Sequence, residues 1–217
     1  MVACSFLNDD DLKSCKGSKH FVRNPSGYLE SIPSEIGLLT QMTYLRIYGR
    51  ITFGTIPSTI GSLTKLEFLN IFDTQLTGTL PTELGNMIQL RELIVSENHQ
   101  LTGTIPPSLG NLTQLTDLNL EENSLSGTIP STLGALANLT FLNLSFNQLT
   151  GTIPSTLANL TMIKFVDFAN NTQLGGTIPF NYCTNASIYF EGGNVVCECC
   201  SSYIYTAIND TRNTTNC

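Results

Sequence analysis

LTFLNLSFNQLTGTIPSTLANL, residues 139–160, is the stretch that decides the fold. It follows the frame LxxLxLxxNxLxGxIPxxLxxL, whose copies recur along the chain, each marked by a proline after Ile or Leu. The marker prolines are Pro33, Pro57, Pro81, Pro106, Pro130, Pro154 and Pro179. They are separated by 24, 24, 25, 24, 24 and 25 residues. A repeat period of this length predicts a solenoid in which each copy forms one coil.

Each copy contains two apolar residues with one residue between them, which is polar or charged in every copy except that of Ile94. This alternation predicts a strand with one buried face. The paired positions are Leu45/Ile47, Leu69/Ile71, Leu93/Val95, Leu118/Leu120, Leu142/Leu144 and Val166/Phe168. One coil cannot bury its own apolar face, but coils stacked about 4.8 Å apart bury all of them together. The sequence therefore predicts parallel strands lined up along the solenoid.

An asparagine follows each strand in most copies, where the chain turns: Asn98, Asn123, Asn147 and Asn171. Its amide has donors and an acceptor, so it can satisfy backbone groups of its own coil and of the adjacent one. The second and third copies carry Arg50 and Thr74 there instead. The two 25-residue copies hold one extra residue at this turn, in SENHQL and ANNTQL, which a surface loop can absorb.

The second half of the frame, as in LTGTIPPSLGNL at residues 101–112, resembles the plant-specific class of leucine-rich repeats. That class is found in receptor-kinase ectodomains and polygalacturonase-inhibiting proteins, and the resemblance covers roughly residues 28–180. It implies an α/β solenoid, a right-handed superhelix of about seven repeats with a parallel concave β-sheet. It also implies a short second strand at each LTGTIP and 3₁₀ or helical turns on the convex side. Residues 1–27 and 181–217 would form disulfide-stapled end caps.

The cysteines and glycosylation motifs indicate the secretory pathway. Seven cysteines lie only near the two ends: Cys4, Cys15, Cys183, Cys197, Cys199, Cys200 and Cys217. Cysteines confined to the ends of a repetitive chain favour stapled caps, whereas adjacent Cys199 and Cys200 cannot easily share one zinc tetrahedron. Eight Asn-x-Ser/Thr sequons occur, at Asn111, Asn138, Asn143, Asn159, Asn170, Asn185, Asn209 and Asn213. Together they predict an extracellular or cell-surface glycoprotein.

Composition and motifs argue against several classes of function. The net charge of −7 disfavours nucleic acids and anionic membranes as partners, and no apolar run is long enough to cross a bilayer. The start, MVACSFLNDDD, is not a secretory signal, so we expect either that a signal has been removed or that the chain is a piece of a larger protein. His20 and His99 lie far apart, and no phosphate loop, GxSxG or HExxH occurs. We expect no enzyme, cofactor or metal.

The residues that flank each strand pair are expected to project from the concave sheet, the face that this family generally uses for partners. The candidate ligand-binding residues are Tyr44, Arg46, Tyr48, Phe68, Asn70, Phe72, Glu92, Glu97, Asp117, Glu121, Glu122, Phe141, Phe146 and Phe165. Smaller residues occupy the same columns, among them Ser96, Asn143, Ser145 and Ala169. The result is two aromatic ends around an acidic middle, because no Lys or Arg occurs from Glu92 to Ile163. This middle suits a basic group or Ca²⁺, or is simply a solvated face.

A second candidate surface lies in the LTGTIP half, where the residue after glycine is always threonine: Thr55, Thr79, Thr104, Thr128, Thr152 and Thr177. Two residues earlier stand Phe53, Thr77, Thr102, Ser126, Thr150 and Gly175. Such a Thr-x-Thr lattice resembles the ice-binding face of some antifreeze solenoids, and certain plant antifreeze proteins carry leucine-rich repeats. The candidate ice-binding residues are Thr77, Thr79, Thr102, Thr104, Thr128, Thr150 and Thr152. The alternative is that β propensity and duplication preserved the threonines.

The sequence thus favours a secreted or cell-surface recognition module that binds a protein, peptide or glycan on its concave face. One alternative is an ice-binding protein that uses the Thr-x-Thr face. Another is a structural subunit of an extracellular assembly or filament, since seven cysteines leave at least one without an internal partner. Self-association through that thiol or through the open ends of the solenoid would serve such a role.

Overall fold

The structure, a computed structural model, describes residues 19–22, 31–50, 52–179, 187–189 and 194–196. All seven cysteines, and Asn185, Asn209 and Asn213, lie outside these residues. The stapled caps and a cysteine-linked assembly therefore stay predictions. Each described coil runs from a strand of the main sheet to a short second strand and then to a 3₁₀ turn.

The paired apolar positions form one parallel sheet along the whole solenoid, as the sequence predicted. Its strands, in spatial order, are β1 (His20–Val22), β2 (Tyr44–Tyr48), β4 (Phe68–Phe72), β6 (Glu92–Ser96), β8 (Asp117–Asn119), β10 (Phe141–Asn143), β12 (Phe165–Asp167) and β14 (Ser187–Tyr189). Neighbours pair in register, so Leu69 lies between Leu45 and Leu93. Strands β1 and β14 fall in the segments predicted as caps, and they extend this same sheet.

A second row of strands follows the LTGTIP segments, again as predicted. It comprises β3 (Phe53–Thr55), β5 (Gln75–Thr79), β7 (Leu101–Thr102), β9 (Ser126–Thr128), β11 (Gln148–Thr152), β13 (Gln173–Thr177) and β15 (Asn194–Val196). The row is divided into a three-stranded sheet, β3 to β7, and a four-stranded sheet, β9 to β15. An isolated bridge, Thr104 to Ser126, joins them, and the N–H groups of Ser124 and Ser126 donate across the division to the carbonyl oxygens of Leu101 and Gly103. The two-residue β7 follows the extra residue of SENHQL, whereas β13 follows the extra residue of ANNTQL and keeps five residues, so the surface loop absorbs the insertion there without shortening the strand.

The convex side consists of 3₁₀ turns, and no α-helix occurs in the described ranges. The turns are η1 (Ser34–Leu38), η2 (Ser58–Ser62), η3 (Thr82–Asn86), η4 (Pro107–Asn111), η5 (Ser131–Ala135) and η6 (Ser155–Asn159). A marker proline precedes each one, because its fixed φ suits entry into the turn. Each turn has only five residues, too few for a stable α-helix, so the convex side takes the 3₁₀ form, one of the two forms predicted for it.

Glycine in these turns lets the coils approach closely. A Cβ built on Gly134 would lie 2.4 Å from the carbonyl oxygen of Thr156 in the next coil, and Gly61, Gly85 and Gly110 face similar obstacles. No real Cβ tolerates such a contact. The glycine of the frame is therefore a requirement of the spacing between coils.

The core is one continuous dry interior. All twelve paired strand residues are no more than 1% exposed, and they belong to a single hydrophobic cluster with the apolar residues of the turns. No helix of the described chain combines the length and apolar character needed to cross a membrane. The predicted leucine frame is confirmed by this burial, which contributes about 25 cal/mol for each Å² of apolar surface removed from water.

The frame asparagines form a buried ladder between coils. Nδ2 of Asn147 donates to the carbonyl oxygen of Leu120 in the preceding coil at 2.8 Å, while its Oδ1 accepts from the backbone N–H of Leu125 at 3.0 Å. Asn123 and Asn171 repeat this pattern with their own neighbours. The predicted role of the amide in two coils is confirmed.

The ladder ends toward the first coils, where the frame residue changes. Oγ1 of Thr74 donates to Oδ1 of Asn98, so this threonine extends the ladder by a single hydrogen bond. Arg50 leaves it altogether: its side chain is 81% exposed and forms an ion pair of 2.9 Å with Asp73. A guanidinium is too strongly hydrated to replace a buried amide.

We predict that Asn147→Ala lowers the free energy of unfolding by about 3 kcal/mol, because it leaves buried backbone groups of two coils without partners. Equilibrium urea unfolding of the purified chain measures this change. The control is Gln148→Ala, at the exposed neighbouring position. Equal unfolding midpoints for the two variants would contradict a structural role of the ladder.

Candidate functional site

The concave face consists of three columns of side chains, which in-register pairing places side by side. The first column contains Tyr44, Phe68, Glu92, Asp117, Phe141 and Phe165. The middle column, here called the furrow, contains Arg46, Asn70, Ile94, Asn119, Asn143 and Asp167. The third column contains Tyr48, Phe72, Ser96, Glu121, Ser145 and Ala169. The predicted candidate residues of these columns therefore share one face.

Aromatic side chains border the furrow on β2 and β4. The rings of Tyr48 and Phe72 stack with centroids 5.4 Å apart and planes 3° from parallel. Across the furrow, the rings of Tyr44 and Phe68 lie 6.0 Å apart at 43°. The guanidinium carbon of Arg46 lies 5.2 Å from the centroid of the Tyr48 ring and 4.9 Å from that of Phe72, within cation–π range.

The acidic middle of the face is held in place by asparagine side chains. Nδ2 of Asn119 donates to Oε1 of Glu121 at 2.9 Å, and Nδ2 of Asn143 donates to Oε2 of Glu121 at 2.6 Å. Glu92 and Asp117 are in-register neighbours in the first column, as predicted. In the described part of the chain, no cation forms an ion pair with these carboxylates, nor with Glu97 or Glu122. The face therefore presents uncompensated negative charge.

A second aromatic group lies beyond the acidic middle. Phe141 and Phe165 stack with centroids 4.5 Å apart and planes 6° from parallel, and Tyr189 of β14 lies 5.2 Å from Phe165. Phe146 is 52% exposed. The aromatic–acidic–aromatic arrangement predicted from sequence is thus present, and Tyr189, in the segment predicted as a cap, was missed.

The residues just after the third column adopt a left-handed backbone, which the sequence analysis also missed. They are Gly49, Asp73, Glu97, Glu122, Phe146 and Asn170, with φ between 50° and 114°. This conformation costs a residue other than glycine about 1–2 kcal/mol. Gly, Asp and Asn at three of these six positions were the available signal, because these residues best tolerate a left-handed backbone. Phe146, bulky and exposed, is the member that tolerates it least.

Several small residues predicted to project from the sheet are buried instead. Ser96, Asn143, Ser145 and Ala169 are 1–8% exposed, and Asn70, one of the candidate ligand-binding residues, is 8% exposed. Strands about 4.8 Å apart place large neighbours over small side chains. Two of these side chains are also hydrogen-bonded to each other: Oδ1 of Asn143 accepts from the N–H and the hydroxyl of Ser145. Counting positions in a frame cannot show this covering.

The burial of Asn143 also bears on glycosylation. Asn143 is 5% exposed and donates to Glu121, so a glycan there would have to displace the side chains that cover it, which argues against modification at this sequon. Asn111, Asn138 and Asn159 are exposed, at or just after the 3₁₀ turns, and Asn170 is partly exposed. These four positions stay candidates for glycosylation.

The six threonines that follow glycine in the second row of strands are all exposed. A Cβ built on Gly103 would lie 2.6 Å from Cγ2 of Thr79, and one on Gly127 would lie 2.9 Å from Cγ2 of Thr104. The methyl groups of Thr55, Thr79, Thr104 and Thr128 therefore rest over the glycine of the next coil. Contact on one side of Cβ restricts χ1 of the threonine, so the hydroxyls repeat in an ordered row.

Two of the three threonines that precede glycine, Thr77 and Thr102, donate hydrogen bonds within the chain. Oγ1 of Thr77 donates to the carbonyl oxygen of Gly54 at 3.0 Å, and Oγ1 of Thr102 donates to that of Gly78 at 3.1 Å. Neighbouring strands of this row pair two residues out of step with the repeat frame, so Thr79 lies beside Thr102 and not beside Thr104. The predicted lattice is thus oblique, since the sequence frame aligns copies whereas the hydrogen bonds stagger them.

The geometry gives no support for the Ca²⁺ interpretation. Within the described ranges, no three His, Cys, Asp or Glu side chains are grouped closely enough to hold a metal ion. His99 is exposed in the turn that contains the extra residue, as predicted.

Comparisons with known proteins agree with this architecture. Two families described as leucine-rich repeat match the sequence, one over residues 88–149 and one over residues 65–87. The ectodomain of the receptor kinase SOBIR1 from Arabidopsis thaliana is 33% identical, with 61% of this chain and 71% of that chain covered and a TM-score of 0.55. This chain belongs to the plant-type leucine-rich-repeat family. No curated protein matches its sequence significantly.

Two further structures resemble this leucine-rich-repeat protein over most of its length. The plant peptide hormone receptor RGFR1, in complex with RGF2, is 33% identical over 82% of this chain, with a TM-score of 0.70. A plant ice-binding protein is 28% identical over 81% of this chain, with a TM-score of 0.68. The chain spans 27% of the length of the first and 56% of the second. Receptor ectodomains and an ice-binding protein thus share this repeat architecture.

Asp167 gives the furrow a testable pH dependence. Burial raises its pKa above 3.8, and the nearby Glu121 adds to this, although a hydrogen bond from the N–H of Ala169 opposes it. The folded state therefore holds the proton more tightly than the unfolded state, and stability is lost as pH rises from the unfolded to the folded pKa. Asp167→Asn keeps the acceptor for Ala169 but cannot ionise.

We predict that Asp167→Asn is more stable than the wild type at pH 7, and that this difference shrinks toward zero at pH 3, below the ordinary pKa of the carboxyl. Urea unfolding of both proteins at the two pH values measures it. A difference that is independent of pH would show that burial of the Asp167 charge does not cost stability.

Proposed function

We propose that this chain is an extracellular or cell-surface recognition module that binds a ligand on its concave face, and that the ligand is an extended peptide. The observation that carries the proposal is the furrow, a row of mainly polar side chains bordered by two stacked aromatic groups. Ring stacking preorganises apolar surface, and exposed aromatic patches commonly mark contact sites. The similar receptor RGFR1, whose structure contains RGF2, supports a peptide rather than a glycan as ligand.

The dimensions of the furrow also suit a peptide. It crosses six described strands from Arg46 to Asp167, which at about 4.8 Å per strand gives roughly 24 Å. A peptide of about seven extended residues spans this length. Aromatic rings at both ends could contact apolar side chains of the ligand.

Secretion and glycosylation are part of this proposal. The exposed sequons at Asn111 and Asn159 lie on the 3₁₀ side, so glycans there would leave the concave face accessible. The partner is thus an extracellular protein or peptide, with no role for nucleic acid.

We predict that Phe72→Ala weakens peptide binding by about 2 kcal/mol, roughly thirtyfold in Kd, because it removes one ring of the Tyr48 stack. Peptides of about twelve residues are selected from a displayed random library on the purified chain, and their affinities are measured by calorimetry. Phe141→Ala tests the other aromatic group in the same way.

The matched control is Thr79→Tyr, on the second row of strands, which should leave the Kd unchanged. Failure to select any peptide, or equal binding to wild type and both alanine variants, would contradict a peptide site on the concave face.

We also propose a second candidate function, ice binding by the threonine face. The row of threonine methyls over glycines favours it, because ordered side chains can hold water in a regular pattern. The similar plant ice-binding protein supports it as well. Threonines of this face lie on both outer sheets, which the N–H groups of Ser124 and Ser126 join by hydrogen bonds to carbonyl oxygens of the preceding coil.

We predict that the double variant Thr104→Tyr and Thr128→Tyr abolishes thermal hysteresis and inhibition of ice recrystallisation, because the rings disrupt the array at its centre. The control is Phe72→Ala, which should keep both activities. A wild-type chain without either activity would exclude ice binding.

A further inference from the structure

We infer that the peptide bound in the furrow carries a basic residue at its centre, held between the carboxylates on both sides. This rests on the proposed function, since it names the chemistry of the ligand for the same concave face. Two independent observations carry it: uncompensated charge in the middle of the face, and a pair of unpartnered polar atoms at one end of the furrow.

Carboxylates border the middle of the furrow on both sides. Glu92 and Asp117 lie in the first column, and Glu121 and Glu122 lie four and five residues along the chain from Asp117. The first column is thus about 13 Å from the third column along the strands, the length of four extended residues. A Lys or Arg side chain lying between them would reach carboxylates on either side.

The charge is uncompensated over a long stretch of chain. From Glu92 to Ile163 the sequence has no Lys or Arg. Of the described cations around this stretch, Arg50 pairs with Asp73, Arg91 lies 3.6 Å from Glu67, and Arg46 rests on aromatic rings. Lys164 precedes β12, two strands beyond Asp117. A basic ligand would relieve the repulsion of the carboxylates and gain charge-assisted hydrogen bonds.

The unpartnered atoms lie next to this region. Nε of Arg46 and Oδ1 of Asn70 are buried, and neither has a hydrogen-bond partner in the described part of the chain. Asn70 is 8% exposed, and the two residues are in-register neighbours in the furrow. An unpaired buried polar atom destabilises the free protein, so a ligand that satisfies it gains free energy.

These two atoms complement a peptide group. Nε–H of Arg46 can donate to a carbonyl oxygen, and Oδ1 of Asn70 can accept from an N–H, provided that the guanidinium of Arg46 shifts from the rings that it covers. The acidic middle at Asn119 is two strands from Asn70, about 10 Å or three extended residues. The basic residue would therefore follow or precede the docked peptide group by about three positions.

The experiment uses peptides selected on the wild-type chain from a random library. We expect Lys or Arg to be enriched at one position of the selected peptides, with apolar residues on both sides. The best peptide is then synthesised with that residue and with an uncharged replacement, citrulline for Arg or norleucine for Lys. Both are titrated by calorimetry against the wild type and against the triple variant Glu92→Gln, Asp117→Asn and Glu122→Gln.

We expect removal of the peptide charge to weaken binding at least tenfold to the wild type but less than twofold to the triple variant. Glu83→Gln, a carboxylate on the convex η3 turn, is the matched control and should behave as wild type. Asn70→Ala tests the docked peptide group, and we expect it to weaken both peptides equally. Unfolding midpoints of all variants check that they are folded.

The outcomes separate this inference from the proposed function. Selected peptides without basic enrichment, or with a charge effect that persists in the triple variant, would overturn the basic centre while leaving peptide binding intact. Unchanged binding by Asn70→Ala would overturn the docking of a peptide group there. Failure to select any peptide would overturn the proposed function itself.

Discussion

The stacking of coils in register at the spacing of β-strands is the constraint on which this structure depends. It aligns the paired leucines into one core, and it brings the amide of Asn147 within reach of two coils. It also excludes any side chain at Gly134, where the next coil passes too closely for a Cβ. The left-handed residues after each strand follow from the same constraint, because their N–H groups must turn toward the next coil; that of Phe146, for example, donates to the carbonyl oxygen of Ala169.

This constraint produces surfaces in columns. A residue at one position of the frame is always beside its equivalents, so a single substitution changes a column locally without disturbing the core. On the concave face the columns have diverged into aromatic ends and an acidic middle, whereas on the second row of strands threonine recurs in every copy. Divergence is what a specific ligand requires, and repetition is what a periodic surface requires. The two proposed functions therefore draw on different strands of the same coils.

The charge distribution gives the concave face its character. The sequence has no Lys or Arg from Glu92 to Ile163, and the described ion pairs, Arg50 with Asp73 and Arg91 with Glu67, leave the carboxylates in the middle of the sheet without a paired cation among the described residues. Asparagine side chains fix the carboxylate of Glu121 but leave its charge uncompensated. A preorganised negative patch between aromatic groups selects ligands by sign and by spacing, and it does so at little conformational cost.

The sequence by itself determined the repeat, the buried strand pairs, the role of Asn123 and the order of aromatic and acidic residues along the concave face, because a strict period fixes which positions become neighbours. Only the tertiary structure decided that Asn70 and Asn143 are covered, that Phe146 is left-handed, that Tyr189 joins the aromatic group and that Thr79 lies beside Thr102. The physical reason is that a repeat frame gives the identity of neighbours but not the stagger of hydrogen bonds or the volume of adjacent side chains. Those quantities exist only when the coils are packed together.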